Sequence, residues 1–118
     1  MTPDEIKTEL DRRLESEPRL DHRVNAVIEG GRYLKHVPPA QCADGFRMSV
    51  QASEGHYCSP RDSIGPWRAV EIGYPSAKVD AFMPYIDGAD SDPTDTVYGY
   101  VPIDVVVAAI ADHGGFAA

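Results

Sequence analysis

The chain has 118 residues, 42% hydrophobic and 25% charged, the proportions of one globular domain rather than of a disordered or fibrous segment. Nineteen Asp and Glu against eleven Lys and Arg leave a formal net charge of −8, which argues against binding nucleic acid by bulk electrostatics and against a polybasic membrane anchor. No stretch approaches the roughly 18 apolar residues of a spanning helix, and the polar start MTPDEIKTELDRR is not that of a secretory signal, so a soluble, intracellular protein is expected.

The charge is unevenly placed. Ahead of Met48 eight basic residues face nine acidic ones, a net of −1, whereas from Met48 on only Arg61, Arg68 and Lys78 face ten acids, a net of −7. Hydrophobic patterning changes near the same place, from helical periodicity to short β-rich runs separated by Gly and Pro. The expected organisation is a single α+β domain over residues 1–118. A helical N-terminal part, 1–44, forms an appendage to an acidic body, 45–118, built of a small, mostly antiparallel sheet with a C-terminal helix packed on it.

Thr2 is placed to cap a helix, Pro3 suits its first position, and Glu5 stands where a capping-box acid reaches back. The helix is predicted to end at Leu14 or Glu15, with Ile6, Leu10 and Leu14 on one stripe and Asp11, Arg12 and Arg13 off it. The next segment, residues 20–37, admits two readings. Leu20, Val24, Val27, Ile28, Gly31 and Leu34 recur at helical spacing, yet Gly30-Gly31 also suits a hairpin turn. The helix is preferred because the apolar stripe persists through the glycines. Phe46, Met48, Val50 and Ala52 then alternate with Arg47, Ser49, Gln51 and Ser53, as in a strand with one buried face. A second strand is expected around Gly55 to Ser59 and a third over Trp67 to Tyr74, making an antiparallel meander. Ser76 is placed to cap a short helix over Ala77 to Ile86, interrupted at Pro84. Thr96 to Val101 reads as a strand with Tyr98 and Tyr100 on one face and Val97, Gly99 and Val101 on the other. Ile103, Val106, Val107 and Ile110 follow i, i+3, i+4, i+7, with Pro102 opening the helix and Gly114 at its left-handed end. His113 in its last turn is expected to favour the charged form through the helix dipole.

Few residues carry a chemical signature. Cys42, His56 and Cys58, with His36 farther off, are ligand types that zinc accepts, but they form only an H-x-C fragment and no C-x₂₋₄-C pair. The plainer reading is a reduced, buried thiol beside a half-exposed histidine, with no metal or other cofactor. His56 and Cys58 on one strand would also resemble a base and a thiol nucleophile, though no orienting third residue is identifiable. Ser59-Pro60-Arg61-Asp62 reads as a turn. Asp87, Asp90, Asp92 and Asp95 crowd into DGADSDPTD, which lacks the order of a calcium loop. With Asp80 and Asp104 they are the candidate partner-binding residues: a negative surface that a basic partner recognises in place of phosphates. Tyr98 and Tyr100, with Tyr57 or Tyr74 across the sheet, are expected in core or interface packing, since three basic residues after Met48 are too few to hold a nucleic-acid backbone.

The blocks MSVQASEGHYCSPRD, GPWRAVEIGYPS and PTDTVYGYVPIDVVVAAIADHGG, covering residues 48–118, together resemble short uncharacterised proteins of bacteriophage and prophage genomes. The resemblance implies a mobile-element accessory protein acting in the bacterial cytoplasm. It further implies an inhibitor of host defence, similar to anti-CRISPR proteins that occupy a DNA-binding surface. The expected function is therefore non-enzymatic: binding the basic surface of a host protein or nucleoprotein complex, with no direct nucleic-acid or membrane binding. Two alternatives stand beside it. One is a small zinc- or thiol-dependent enzyme using Cys58 and His56; the other is a phage structural or regulatory component that forms homo-oligomers through its N-terminal helices.

Overall fold

The structure, a computed structural model, describes residues 1–15, 37–53, 55–61 and 65–118. The helix-or-hairpin segment and His36 lie outside the described residues, apart from Val37. An α-helix, α1 (Pro3–Glu15), precedes a four-stranded antiparallel meander, β1 (Ala40–Gln41), β2 (Arg47–Gln51), β3 (Ala69–Gly73) and β4 (Val97–Pro102), in spatial order β1-β2-β3-β4. A 3-10 helix (Asp80–Tyr85) lies between β3 and β4, and a second α-helix, α2 (Ile103–Asp112), follows β4 directly. This is the α+β arrangement that the patterning predicts.

Both α-helices end where the sequence says they should. At α1, the Thr2 N–H donates to Glu5 Oε1 at 2.8 Å and the Glu5 N–H donates back to Thr2 Oγ1 at 3.2 Å, a reciprocal capping box. Thr2 also holds the Glu5 carboxyl below its ordinary range, chiefly through its backbone N–H. At the end of α2, the Gly115 N–H donates to Ile110 O at 2.9 Å and the Gly114 N–H to Ala111 O at 3.0 Å. That pair of bonds is a Schellman motif, and Gly114 adopts the positive φ it favours, +88°, with Gly115 following at +83°.

The N-terminal helix is not an appendage. Ile6, Leu10 and Leu14 are buried in one cluster with Met48, Val50, Val70, Ile72, Phe82, Tyr98, Val106 and Ile110, and α1 packs on α2. The Arg13 guanidinium lies 4.0 Å from the Phe116 ring centroid, tying α1 to the C-terminal tail as well. Helical periodicity predicted the stripe, but the partner it packs against sits about a hundred residues away, beyond what local pattern can show.

Four local expectations are corrected. Residues 55–59 do not form a strand: the His56 N–H donates to Ser53 O and the Cys58 N–H to His56 O, so the backbone turns on itself, and only Ser59 bridges to Ala69. Ser76 does not cap a helix. Its N–H and hydroxyl engage Arg47 O and the Arg47 N–H, at 2.8 and 3.0 Å, fastening it to β2, and the uncapped 3-10 helix starts only at Asp80. Gln51 points inward, not to solvent; its amide makes two bonds to the Val37 backbone, at 2.9 and 2.8 Å, which removes the penalty of burying it. Tyr98 and Tyr100 occupy opposite faces, because the register of β4 against β3 shifts between them.

His113 closes the base of the fold through a partner that the sequence does not announce. Its ring stacks on Phe46 with centroids 4.1 Å apart, and its Nδ1 lies 2.6 Å from Asp44 Oδ2 in the β1–β2 turn. The Phe46 N–H, and then His113, hold the Asp44 carboxyl below its ordinary range. A carboxyl depressed in the folded state stabilises it above the ordinary value of 3.8, and that contribution disappears as pH falls through the folded value. Thermal melts of wild type and Asp44→Asn are therefore expected to differ at pH 6 and to converge as the medium is acidified below about pH 4. A constant gap down to strong acid would remove the assignment. For the helix, Leu10→Ala is expected to cost roughly 2–5 kcal/mol in urea denaturation. A sheet transition unmoved by it would show α1 to be peripheral.

Candidate functional site

The run DGADSDPTD is a hydrogen-bonded loop joining the 3-10 helix to β4. At its start the Asp87 N–H donates to Val97 O at 3.0 Å, and Asp87 O accepts from the hydroxyls of Ser91, 2.9 Å, and Thr96, 3.2 Å. Within it, the Ser91 N–H donates to Gly88 O and the Asp95 N–H to Asp92 O. Asp92 Oδ1 accepts from both the N–H and the hydroxyl of Thr94, each at 2.9 Å, an Asx turn that holds its carboxyl below the ordinary range. The Tyr98 hydroxyl, reaching out from the core, donates to Pro93 O. Burial and then the Asp92 charge push the Tyr98 hydroxyl pKa up, so it keeps the proton it donates. The loop thus spends its backbone and hydroxyl groups on itself and the sheet, while Asp87, Asp90, Asp92 and Asp95 stand exposed.

The other two acids are placed elsewhere. Asp80 opens the 3-10 helix at the end away from the loop, with Lys78 Nζ 3.7 Å from its carboxylate. Asp104 lies in the first turn of α2, past the far end of β4, and borders a separate recess with Lys7, Trp67 and Arg68. At about 3.3 Å per strand residue, β4 separates it widely from the loop.

Beside the loop lies a groove that depends on an irregularity in β4. Val70 pairs with Val101 and Ile72 with Tyr98, so the single residue Glu71 faces two, Gly99 and Tyr100. This is a β-bulge, and Tyr100 takes φ +55° within it. The extra residue breaks the alternation: Tyr98 and Val101 both enter the core, and Tyr100 turns outward, 48% exposed. Tyr57 crosses over the bulge. Its carbonyl accepts the Tyr100 N–H at 3.0 Å, its own N–H donates to Glu71 Oε2 at 3.0 Å, and a Cβ placed on Gly99 would meet its Cβ at 3.2 Å. The two tyrosine rings stand 6.1 Å apart, tilted by 36°. With Tyr85, Pro84, Ile86 and Asp87 they line an open groove of about 400 Å³. Arg61 adds a guanidinium 5.5 Å from the Tyr57 ring centroid.

Among the described residues the cysteine and histidine candidates form no comparable site. His56 is buried, not half-exposed, with Nδ1 2.6 Å from Ser53 Oγ. Cys58 is buried beside it, its Sγ donating to Ser53 O at 3.2 Å and to Pro60 O at 3.4 Å. Cys42 lies apart beside β1, is not bonded to Cys58, and has its thiol pKa pushed up by burial and then by Asp44. Among the described residues no three His, Cys, Asp or Glu side chains gather where a metal would sit, and no helix is long and apolar enough to cross a membrane. No protein-family model, curated protein or solved structure matches the chain.

Sequence reasoning located the acidic run but missed the groove, because VYGYV reads as regular alternation. The one available signal was Gly99 between two tyrosines, since an isolated glycine in a strand marks a bulge or a close approach. The bulge predicts an inverted substitution pattern at position 100. Tyr100→Val, branched at Cβ and held at positive φ, is expected to be about 1–2 kcal/mol less stable than Tyr100→Gly, which adopts that backbone without strain. Chemical denaturation of the two variants measures it, and equal stabilities would mean that the backbone at 100 is not left-handed.

Proposed function

We propose that this chain is a non-enzymatic binding protein that presents the Asp87–Asp95 loop to a basic surface on another protein. The observation that carries the reading is the division of labour within the loop. Its backbone is held by bonds to Val97, Thr96, Ser91 and Tyr98, and its four acidic side chains stand exposed, Asp92 giving one oxygen to Thr94. A fixed array of negative charge offers a Lys/Arg-lined nucleic-acid groove what a phosphate backbone would offer it, with little ordering cost on binding. The phage-type role expected from the sequence of residues 48–118 is part of the same proposal: an inhibitor, acting in the bacterial cytoplasm, of a nucleic-acid-binding host protein of the anti-CRISPR kind. The net charge of −7 over the same residues supports the same direction of binding.

The reading predicts strongly salt-dependent association. Immobilised wild-type protein is expected to retain basic, nucleic-acid-binding proteins from a bacterial lysate at low salt and release them at high salt. A variant carrying Asp90→Asn, Asp92→Asn and Asp95→Asn is expected to lose them, although Asn at 92 keeps the oxygen that Thr94 uses. Undiminished retention by the triple variant would sink the proposal.

A further inference from the structure

We infer that the tyrosine groove beside the loop is a seat for one arginine side chain of the partner, a site selective for a guanidinium over other cations. The inference deepens the binding reading above and rests on it. Tyr57 and Tyr100 are 47% and 48% exposed, although each is anchored through its backbone. Large rings left half in water on a rigid frame are what a binding surface uses as anchors. The frame is costly: Tyr100 is held at φ +55°, a region that penalises any residue with a Cβ. The strain is tolerated at the one position that aims this ring outward.

Three observations choose the occupant. The molecule already lays a guanidinium on one of these rings, with Arg61 Cζ 5.5 Å from the Tyr57 centroid, inside the range of about 6 Å over which a cation and an aromatic face attract. Asp87 lines the same groove at the start of the acidic loop, and among the described residues no Lys or Arg joins that lining, Arg61 standing against the Tyr57 ring alone. Its volume of about 400 Å³ is that of a small ligand site. A planar guanidinium stacks on a ring and donates to a carboxylate from its edge at the same time. A lysine ammonium, compact and more strongly hydrated, does the second but gains less from the first. A nucleobase would stack equally well, but its phosphate would lie against Asp87 and the carboxylates beyond it.

The test uses the full chain and three probes at low salt: an end-blocked tetra-arginine peptide, its tetralysine counterpart and a short single-stranded DNA. The arginine peptide is expected to shift the Gly99 amide and the ring resonances of Tyr57, Tyr85 and Tyr100, and to bind more tightly than the lysine peptide. Tyr57→Ala or Tyr100→Gly should each weaken the arginine peptide roughly two- to five-fold, the worth of one exposed cation–aromatic contact, and weaken the lysine peptide by less. Tyr100→Gly suits the backbone at that position, so a loss there is not a folding failure. Equal affinity for the two peptides, reduced by the triple Asn variant but not by either ring variant, overturns the arginine seat and leaves the acidic-loop reading standing. Binding of neither peptide overturns both, and preference for the DNA overturns the choice of cation.

Discussion

Opposite Glu71, strand β4 carries two residues where β3 carries one, and this single extra residue sets both the inside and the outside of the candidate site. In a regular strand Tyr98 and Tyr100 would share a face. The bulge sends Tyr98 inward, where its ring meets Phe82 at 5.9 Å and its hydroxyl reaches Pro93 O, so the acidic loop is tethered from the core. It sends Tyr100 outward to pair with Tyr57. A left-handed backbone at a tyrosine costs about 1–2 kcal/mol. Against that stand the Tyr100 N–H bond to Tyr57 O, of the order of 1 kcal/mol, and the bond from the Tyr57 N–H to the Glu71 carboxylate, about 1.5–3 kcal/mol because its acceptor is charged. The balance favours the bulge only while residues 55–59 stay folded over it.

The sheet also has little backbone left to offer a partner among the described residues. Beyond β1, Cys42 bridges Phe116 and the Ala117 N–H donates to Gln41 O, so the C-terminal tail lies along that edge. Beyond β4, Ile86 bridges Tyr98 and Tyr57 takes the Tyr100 N–H. Covered edges discourage strand addition. On the proposed reading recognition is left to side chains, and those exposed beside β4 include the loop carboxylates, Tyr57, Tyr100 and Arg61.

What could be read in the sequence was whatever local chemistry decides. Thr2, Pro3 and Glu5 announce the start of α1, and Gly114 announces the end of α2, because caps satisfy backbone groups within a few residues. The apolar face of β2 was legible at Phe46, Met48, Val50 and Ala52, all buried. Several failures came where a distant group won. Ser76, a fair helix cap, was taken by Arg47 of β2, and Gln51 was drawn inward by Val37. The residues from Gly55 to Ser59 lost their ladder to local turns. The acidic run was visible as composition, but its order depends on the Tyr98 hydroxyl, and Tyr98 reaches it only because β4 is irregular.

On the proposed reading, charge and aromatic surface act over different distances. Exposed carboxylates attract a basic patch across roughly a Debye length, about 10 Å at moderate salt, and so raise the rate of encounter. Once in contact, an exposed ion pair contributes only about 0–1 kcal/mol, and four of them would accept almost any basic surface. The groove supplies what the loop lacks, a place where shape matters: two rings tilted by 36°, with Asp87 in the same lining, admit a flat cation in few orientations. Fixing the loop beforehand matters as much, since ordering each flexible residue at binding would cost about 1–2 kcal/mol, enough to cancel the ion pairs. The tether from Tyr98 to Pro93 is therefore the point at which folding energy becomes binding energy. It makes the bulge, rather than the carboxylates themselves, the feature on which selectivity rests.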